Sequence, residues 1–364
     1  MLISKVVIHD FKGFDLLEIP NLTKINLFGG KNNVGKSSIL EAIFLALDRL
    51  NPHLFLRQLE WRTLGPIEMG ESIWTPFFRN NSGSGNNTIK IELELSSKQL
   101  LAVSFAKGIT SQVINTNQGK LKSSTSQPPS FGSTKIGANA LSIKASLDAK
   151  NIQDSIFRVN GAQIGFEHKH LETIGIIYAR AMMTRHMSQA EEADLFSKLD
   201  ADDRTAPVIE AIRGIDERIE SISIGVSAGS PRLQATLRGI KGKIPLALLG
   251  DGSRRIAGMV MAILERPKSI ILIDEIETGI HHSKMSTMWT AIARAAEVSE
   301  SQVLATTHSR ECIEAASHAM RTQSSSELFS YHRVQRKPDL GKLSIVRYSG
   351  EEVAMASEGE VEIR

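Results

Sequence analysis

One cysteine, Cys312, stands in 364 residues, so neither a disulfide framework nor a thiolate zinc site is available. A chain this poor in thiols is expected in a reducing, cytoplasmic compartment. No apolar run approaches the roughly 18 residues that a bilayer-spanning helix needs, which argues against a membrane role. The opening residues, Met1 to Val6, alternate like a strand and lack both the apolar stretch and the cleavage pattern of a signal peptide. A dominant charge sign is missing as well. Lys and Arg number 43 against 40 Asp and Glu, and a net charge of +3 does not by itself demand nucleic acid. No internal repeat is present. What remains is 41% hydrophobic and 23% charged, an ordinary globular composition with room for one large or two modest domains.

The chemistry begins with Gly30-Lys31-Asn32-Asn33-Val34-Gly35-Lys36-Ser37. A strand-like run, Lys24 to Phe28, precedes it, and a helical run, Ser37 to Leu50, follows it and stops at Asn51-Pro52. Small or permissive residues in this setting let successive backbone N–H groups curl around phosphate oxygens. The helix N-terminus adds positive partial charge, Lys36 reaches the β- and γ-phosphates, and Ser37 offers a hydroxyl to Mg²⁺. ATP and Mg²⁺ are the implied ligands. Gly30, Asn32, Asn33, Gly35, Lys36, Ser37 and Ser38 are the candidate nucleotide-binding residues.

Three further features follow in order. Ile270 to Ile273 is a continuous apolar strand of the kind buried on both faces of a parallel sheet, and Asp274-Glu275 follows it. Asp274 at such a strand end can join Ser37 in the Mg²⁺ shell, and Glu275 can polarise an attacking water. A second buried strand, Val303 to Thr306, delivers His308 to where the γ-phosphate would sit. Lys36, Glu275 and His308 are thus the candidate catalytic residues. Gly250-Asp251-Gly252-Ser253 opens the helix that leads into the Asp274 strand and makes a second anion-seeking loop. One nucleotide in one chain does not need two such loops, but in a two-fold dimer this one can cap the partner's γ-phosphate.

The intervening chain is less specific. Ile89 to Leu95 alternates strictly, as a half-exposed strand does, and Leu101 to Phe105 can pair with it. Residues 80–87 are turn-forming. From Lys107 to Lys150 the composition turns to Ser, Thr, Gln, Asn and Gly, with lysines at 107, 120, 122, 135, 144 and 150 against Asp148 alone. Two readings stand for this stretch: a solvated surface insertion, or a basic patch for a nucleic-acid backbone, the latter without aromatic interleaving. Ile174 to Tyr178 reads as a short strand. Val208, Ile212, Ile215, Ile219 and Ile222 recur at heptad spacing and predict an amphipathic helix or helical hairpin. Met285 to Val298 reads as a helix, and Leu328 to Val334 with Leu343 to Arg347 as a closing hairpin. His168 and His170, like His281-His282, lack a matched ligand set for a metal.

The words FKGF (Phe11 to Phe14), GGKNNVGKSS, LGDGSRR, LIDEIETGIHHS and TTHS, in this order, resemble the ATP-binding-cassette ATPase head, and more narrowly its OLD-like and chromosome-maintenance branch. The resemblance implies an α/β P-loop NTPase with a mixed central sheet, an antiparallel β-rich N-terminal lobe and a short helical insertion. It divides the chain into a nucleotide-binding lobe (1–60), a β-rich basic insertion (61–170), a helical insertion (171–243) and a second lobe (244–364). It implies a homodimer or higher homo-oligomer with ATP between heads, Lys12 and Phe14 near the base or ribose, Gly250 to Arg254 acting in trans, and Glu277 to His281 at the dimer contact. Gly250 replaces the serine of the usual signature, so the trans contact would come from backbone N–H groups or Ser253. The Q-loop glutamine has only Gln189, after Arg180 and Arg185, as a candidate. The interval from Lys36 to Asp274 is too short for long coiled-coil arms, and no nuclease domain is expected after His308. The implied function is an ATPase that controls a separately encoded effector, a nuclease, in anti-phage defence. The alternatives are a DNA-binding repair ATPase and a transporter subunit, the last lacking its glutamine and signature serine.

Overall fold

Two sheets, both built from distant parts of the chain, frame the nucleotide-binding region. The computed structural model describes residues 2–61, 73–79, 88–107, 140–160, 163–183, 187–227, 229–336 and 343–358. The expected loop at 80–87, Lys120, Lys122, Lys135, Arg185 and the turn at 338–341 lie outside these residues.

β1 (Ile3–Phe11) and β2 (Phe14–Ile19) form a hairpin. β3 (Ile25–Gly29) leads through the glycine loop into α1 (Lys36–Leu47), and α2 (Leu54–Glu60) follows. β4 (Thr88–Leu95), β5 (Leu100–Lys107), β6 (Ala140–Leu147), β7 (Lys150–Asn160) and β8 (Gln163–Leu171) then extend β1 into an antiparallel sheet, ordered β2-β1-β4-β5-β6-β7-β8. The alternation in Ile89, Ile91, Leu93 and Leu95 turns one face inward, where Phe55, Phe105 and Phe157 pack edge to face.

The chain crosses to the second sheet at β9 (Ala179–Met182). It continues through α3 (Gln189–Ala201), α4 (Ala206–Arg213), and the small sheet of β10 (Ile219–Ser227), β11 (Ser230–Leu237) and β12 (Lys243–Pro245). α5 (Asp251–Glu265), β13 (Ile270–Ile273), α6 (Met285–Val298), β14 (Gln302–Thr306), α7 (Arg310–Thr322), β15 (Phe329–Arg336), β16 (Leu343–Ser349) and α8 (Gly350–Glu358) complete it. The second sheet has the order β16-β15-β3-β14-β13-β9, parallel from β15 to β9 with β16 antiparallel at one edge. Its central strands are apolar on both faces because both are covered. Ile270 and Leu272 of β13 join the core shared with α1 and the antiparallel sheet, whereas Ile271 and Ile273 join the core built by α3 to α7.

Two expectations are corrected here. The heptad run does not form one helical unit: Val208 and Ile212 lie in α4, but Ile219 and Ile222 lie in β10. Ile222, Ile224 and Val226 also alternate with period two, and β11 supplies the hydrogen-bond partner that settles the ambiguity in favour of strand. The short strand expected at Ile174 to Tyr178 forms instead at 179–182, where Ala179 to Met182 align with Ile270 to Ile273. Ile174 and Ile176 are left exposed.

Beside the glycine loop, β15 buries His332 completely, with Nε2 2.8 Å from Ser330 Oγ and the ring stacked on Phe28. Burial pushes its pKa down from 6.5 to about 3. The unfolded chain therefore binds the extra proton as pH falls below 6.5, and the folded state loses stability from there toward pH 3. Between pH 7 and 5, urea unfolding followed by circular dichroism should show wild type losing roughly 2 kcal/mol more than His332→Gln. Equal losses would remove His332 as the cause.

Candidate active site

The glycine loop is shaped by what lies beneath it. Gly30 has φ 132°, and a Cβ there would stand 2.2 Å from the Val334 carbonyl oxygen of β15. Gly35 has φ 91°, and its Cβ would press on the Phe14 ring at 2.9 Å. Asn33 also takes a left-handed backbone, at φ 61°. Gly35 occupies the N-cap position of α1 with no side-chain cap, so the first-turn N–H groups are left for an external acceptor. Lys36 is buried and lays its ammonium across the loop, donating to the carbonyls of Gly30 at 2.8 Å and Lys31 at 2.9 Å. Ser37 and Ser38 are half-buried in the first turn, and Asn32 is exposed on the loop.

β3, β14 and β13 are consecutive parallel neighbours, so the loop after β3, His308 after β14 and Asp274-Glu275 after β13 emerge at one carboxyl edge. Strand spacing puts the outer two backbones about 10 Å apart, and the carboxyl ends of the strands are where open α/β sheets hold their ligands. The predicted catalytic and metal residues are thus brought together at this edge. His308 Nε2 lies 3.2 Å from Glu275 Oε1, and its backbone N–H donates to Glu277 Oε1 at 2.7 Å.

Two residues whose roles the motifs did not reveal organise this edge. The Thr306 hydroxyl donates to Asp274 Oδ1 at 2.6 Å and accepts from the Glu275 N–H at 2.9 Å, orienting both carboxylate residues. Among the described residues no donor reaches Asp274 Oδ2, which leaves a hard oxygen suited to Mg²⁺. Arg255, buried in α5, donates to the carbonyls of Asp274 at 3.3 Å and Glu275 at 2.8 Å. Burial pulls its pKa below the usual arginine value, against the opposing pull of Glu277, Glu275 and Asp274. It braces Glu275, which sits at φ 47°, a left-handed conformation that costs a non-glycine residue roughly 1–2 kcal/mol. Neither task is legible in the sequence: Thr306 needs β14 beside β13, and Arg255 reaches back from the preceding helix.

Arg255→Ala should lower kcat about 10-fold or more with KM nearly unchanged, and Arg255→Lys should restore part of it. Steady-state phosphate release reads this directly, and a kcat within twofold of wild type would deny Arg255 the bracing role.

Other predicted residues fall elsewhere. Lys12 forms an ion pair with the buried Glu41 and lies over the Phe77 ring at 4.8 Å, and Phe14 is buried under the loop. Gly250, at φ 105°, caps α5, with Asp251 exposed and Gly252 half-buried. Ser253 is buried, which withdraws its hydroxyl from the surface of this loop. Gly252 and Asp251 pack against Gly279, which joins this loop to the Glu277–His281 segment. Gln189 opens α3 after the Ser188 capping box. His168 is held by Ser155, and no group of three metal-ligating side chains occurs among the described residues. No helix among them is long and apolar enough to cross a membrane.

Fold and site together define a P-loop nucleoside triphosphatase. The model described as "AAA ATPase domain" matches residues 1–199, more than half of the chain, and one described as "AAA domain, putative AbiEii toxin, Type IV TA system" matches residues 154–314. The chain belongs to the AAA ATPase domain family, and it is an ATPase. A curated relative, the "ATP/GTP phosphatase" of Helicobacter pylori, is 26% identical over 343 residues, covering 88% of this chain and 89% of the relative. "Uncharacterized protein MJECL10" of Methanocaldococcus jannaschii is 38% identical over 101 residues, 27% of this chain and 42% of that protein. Among solved structures, the SMC head bound to the C-winged helix domain of ScpA superposes with a TM-score of 0.55 at 12% identity, covering 96% of this chain and 98% of that one. That likeness is one of fold.

Proposed function

We propose that the protein is a Mg²⁺-dependent cytoplasmic ATPase of the OLD-like branch that closes as a two-fold pair around ATP and passes its state to a separately encoded effector. The observation that carries the hydrolytic part is the His308–Glu275 contact of 3.2 Å, one and two strands away from the phosphate loop. On this reading Lys36 and the loop N–H groups, with Ser38, grip the phosphates. Ser37 and Asp274 would hold Mg²⁺, which when bound supplies positive charge against the β- and γ-oxygens. Glu275 orients and deprotonates the attacking water, and His308 steadies that carboxylate. The backbone of Gly250 to Gly252 caps the γ-phosphate of the other copy.

These contacts address phosphates and ignore the base, and Lys12 is engaged by Glu41. On this reading GTP should be turned over beside ATP, as the name of the Helicobacter relative states for that protein. The effector reading, a nuclease in anti-phage defence, draws on the motif words and on the toxin-system description of one matching model. The DNA-repair reading rests on the lysines from 107 to 150. Of these, Lys107 lies over Phe78 and Lys150 pairs with Glu172, which lends it no support.

Phosphate release should proceed from ATP and GTP within about tenfold of each other and stop with EDTA. Light scattering should show the molar mass doubling with a non-hydrolysable triphosphate. No turnover would overturn the hydrolytic reading; turnover by a persistent monomer would overturn only the pairing.

A further inference from the structure

The parallel sheet ends at β9, and among the described residues that edge is open. In the β9–β13 ladder the Tyr178 and Met182 carbonyls accept from the amides of Ile270 and Asp274. The parallel pattern then turns the N–H and C=O groups of Ala179, Ala181 and Met183 away from β13. Among the described residues nothing pairs with those outward groups. Sheet edges are usually blunted by proline, bulges or inward charges. β9 has no proline or bulge, and its one charge, Arg180, is tied to Glu265.

A cavity of about 660 Å³ runs along this edge and is lined by every residue from Ile176 to Met183. The end of α1, α2 and Trp61 wall one side of it, and α3 and α5 wall the other. The edge is therefore recessed between two helical layers. A second folded copy cannot bring its own sheet edge into such a slot, but a single extended segment can enter it.

The charges in the slot define what that segment carries. Arg57, Arg180 and Arg254 are neutralised by Asp48, Glu265 and Glu192. Glu191 is engaged in the α3 capping box, leaving Glu60 on the α2 side. Arg255 is bonded to main-chain carbonyls, and Arg266 is exposed over the Tyr178 ring, 4.6 Å from its centroid. Among the described residues Arg266 makes no ion pair, so the end of the slot beside Tyr178 favours a carboxylate.

We propose that this slot receives an extended, acidic and aliphatic segment of a partner protein, which adds to β9 as a further strand and sets a carboxylate against Arg266. The inference goes beyond the hydrolytic reading and does not depend on it, since docking is measured without nucleotide.

The test uses the full chain and a fluorescein-labelled peptide of about ten residues alternating valine and glutamate, with a valine–lysine peptide and a backbone N-methylated valine–glutamate peptide as comparisons. Anisotropy should give saturable binding of the acidic peptide, at least about tenfold tighter than the lysine peptide, in which attraction to Arg266 is replaced by repulsion. N-methylation should abolish binding, and hydrogen exchange at the Ala179 and Ala181 amides should slow in the complex. Arg266→Glu, at an exposed position that leaves the core intact, should reverse the charge preference. No saturation up to about 1 mM peptide, the range of a poor interaction, overturns the proposal. So does equal binding of the N-methylated peptide, an unchanged exchange rate at those two amides, or an unchanged preference in Arg266→Glu.

Discussion

Lys36→Met should lose at least about 10²–10³-fold in ATP turnover, the scale of removing one preorganised donor to developing charge. Methionine keeps the stem out to Cε, so the loss isolates the ammonium. In the ligand-free fold that ammonium already spans the loop between the Gly30 and Lys31 carbonyls, within reach of any group cradled there. The two carbonyls are loop acceptors that water can satisfy, and the loop is shaped chiefly by Gly30 against Val334 and Gly35 against Phe14. Far-ultraviolet circular dichroism should therefore match wild type, and the melting temperature should shift by only a few degrees. Nucleotide affinity, read by isothermal titration, should fall with turnover. A well-folded Lys36→Met protein that retained more than a tenth of wild-type turnover would remove the loop from the chemistry.

Glu275→Gln should cost about 10²–10⁴-fold in kcat while leaving triphosphate binding in place, the expected effect of deleting a general base. Glutamine preserves shape and the N–H bond to Thr306, so stability should barely change. A β-branched side chain tells the two roles apart. Glu275→Val would meet the same φ of 47° with a residue that tolerates it badly, adding roughly 1–3 kcal/mol of destabilisation to the lost activity. Single-turnover phosphate release and thermal melts on the two variants separate base from backbone. Wild-type kcat in Glu275→Gln would assign the water-orienting task to another group.

Residue chemistry and local pattern made much of this edge readable beforehand. Gly30, Gly35, Lys36 and Ser37 are demanded by close backbone packing and phosphate chemistry within eight residues. The unbroken apolar run Ile270 to Ile273 can sit only where both faces are covered, as both cores confirm. What stayed hidden depends on distant neighbours. Thr306 acquires its bridging task only because β14 lies beside β13, and Arg255 because α5 folds back on the end of β13. The spacing at 208–222 satisfied two periodicities, and only the presence of β11 decided between them. The β9 register was set by Ile270 to Ile273, nearly a hundred positions downstream, rather than by the apolar residues just ahead of it.

The strand order also has a consequence for how the molecule is made. β3, which carries the nucleotide loop, lies between β14 and β15, both from the last quarter of the polypeptide. During translation its flanks stay bare until those distant segments leave the ribosome, roughly 15 to 55 seconds later at ordinary elongation rates. A nascent chain stalled before residue 302 therefore has its glycine loop but no sheet to mount it on, so this ATPase becomes competent to hold its substrate only when synthesis is nearly over.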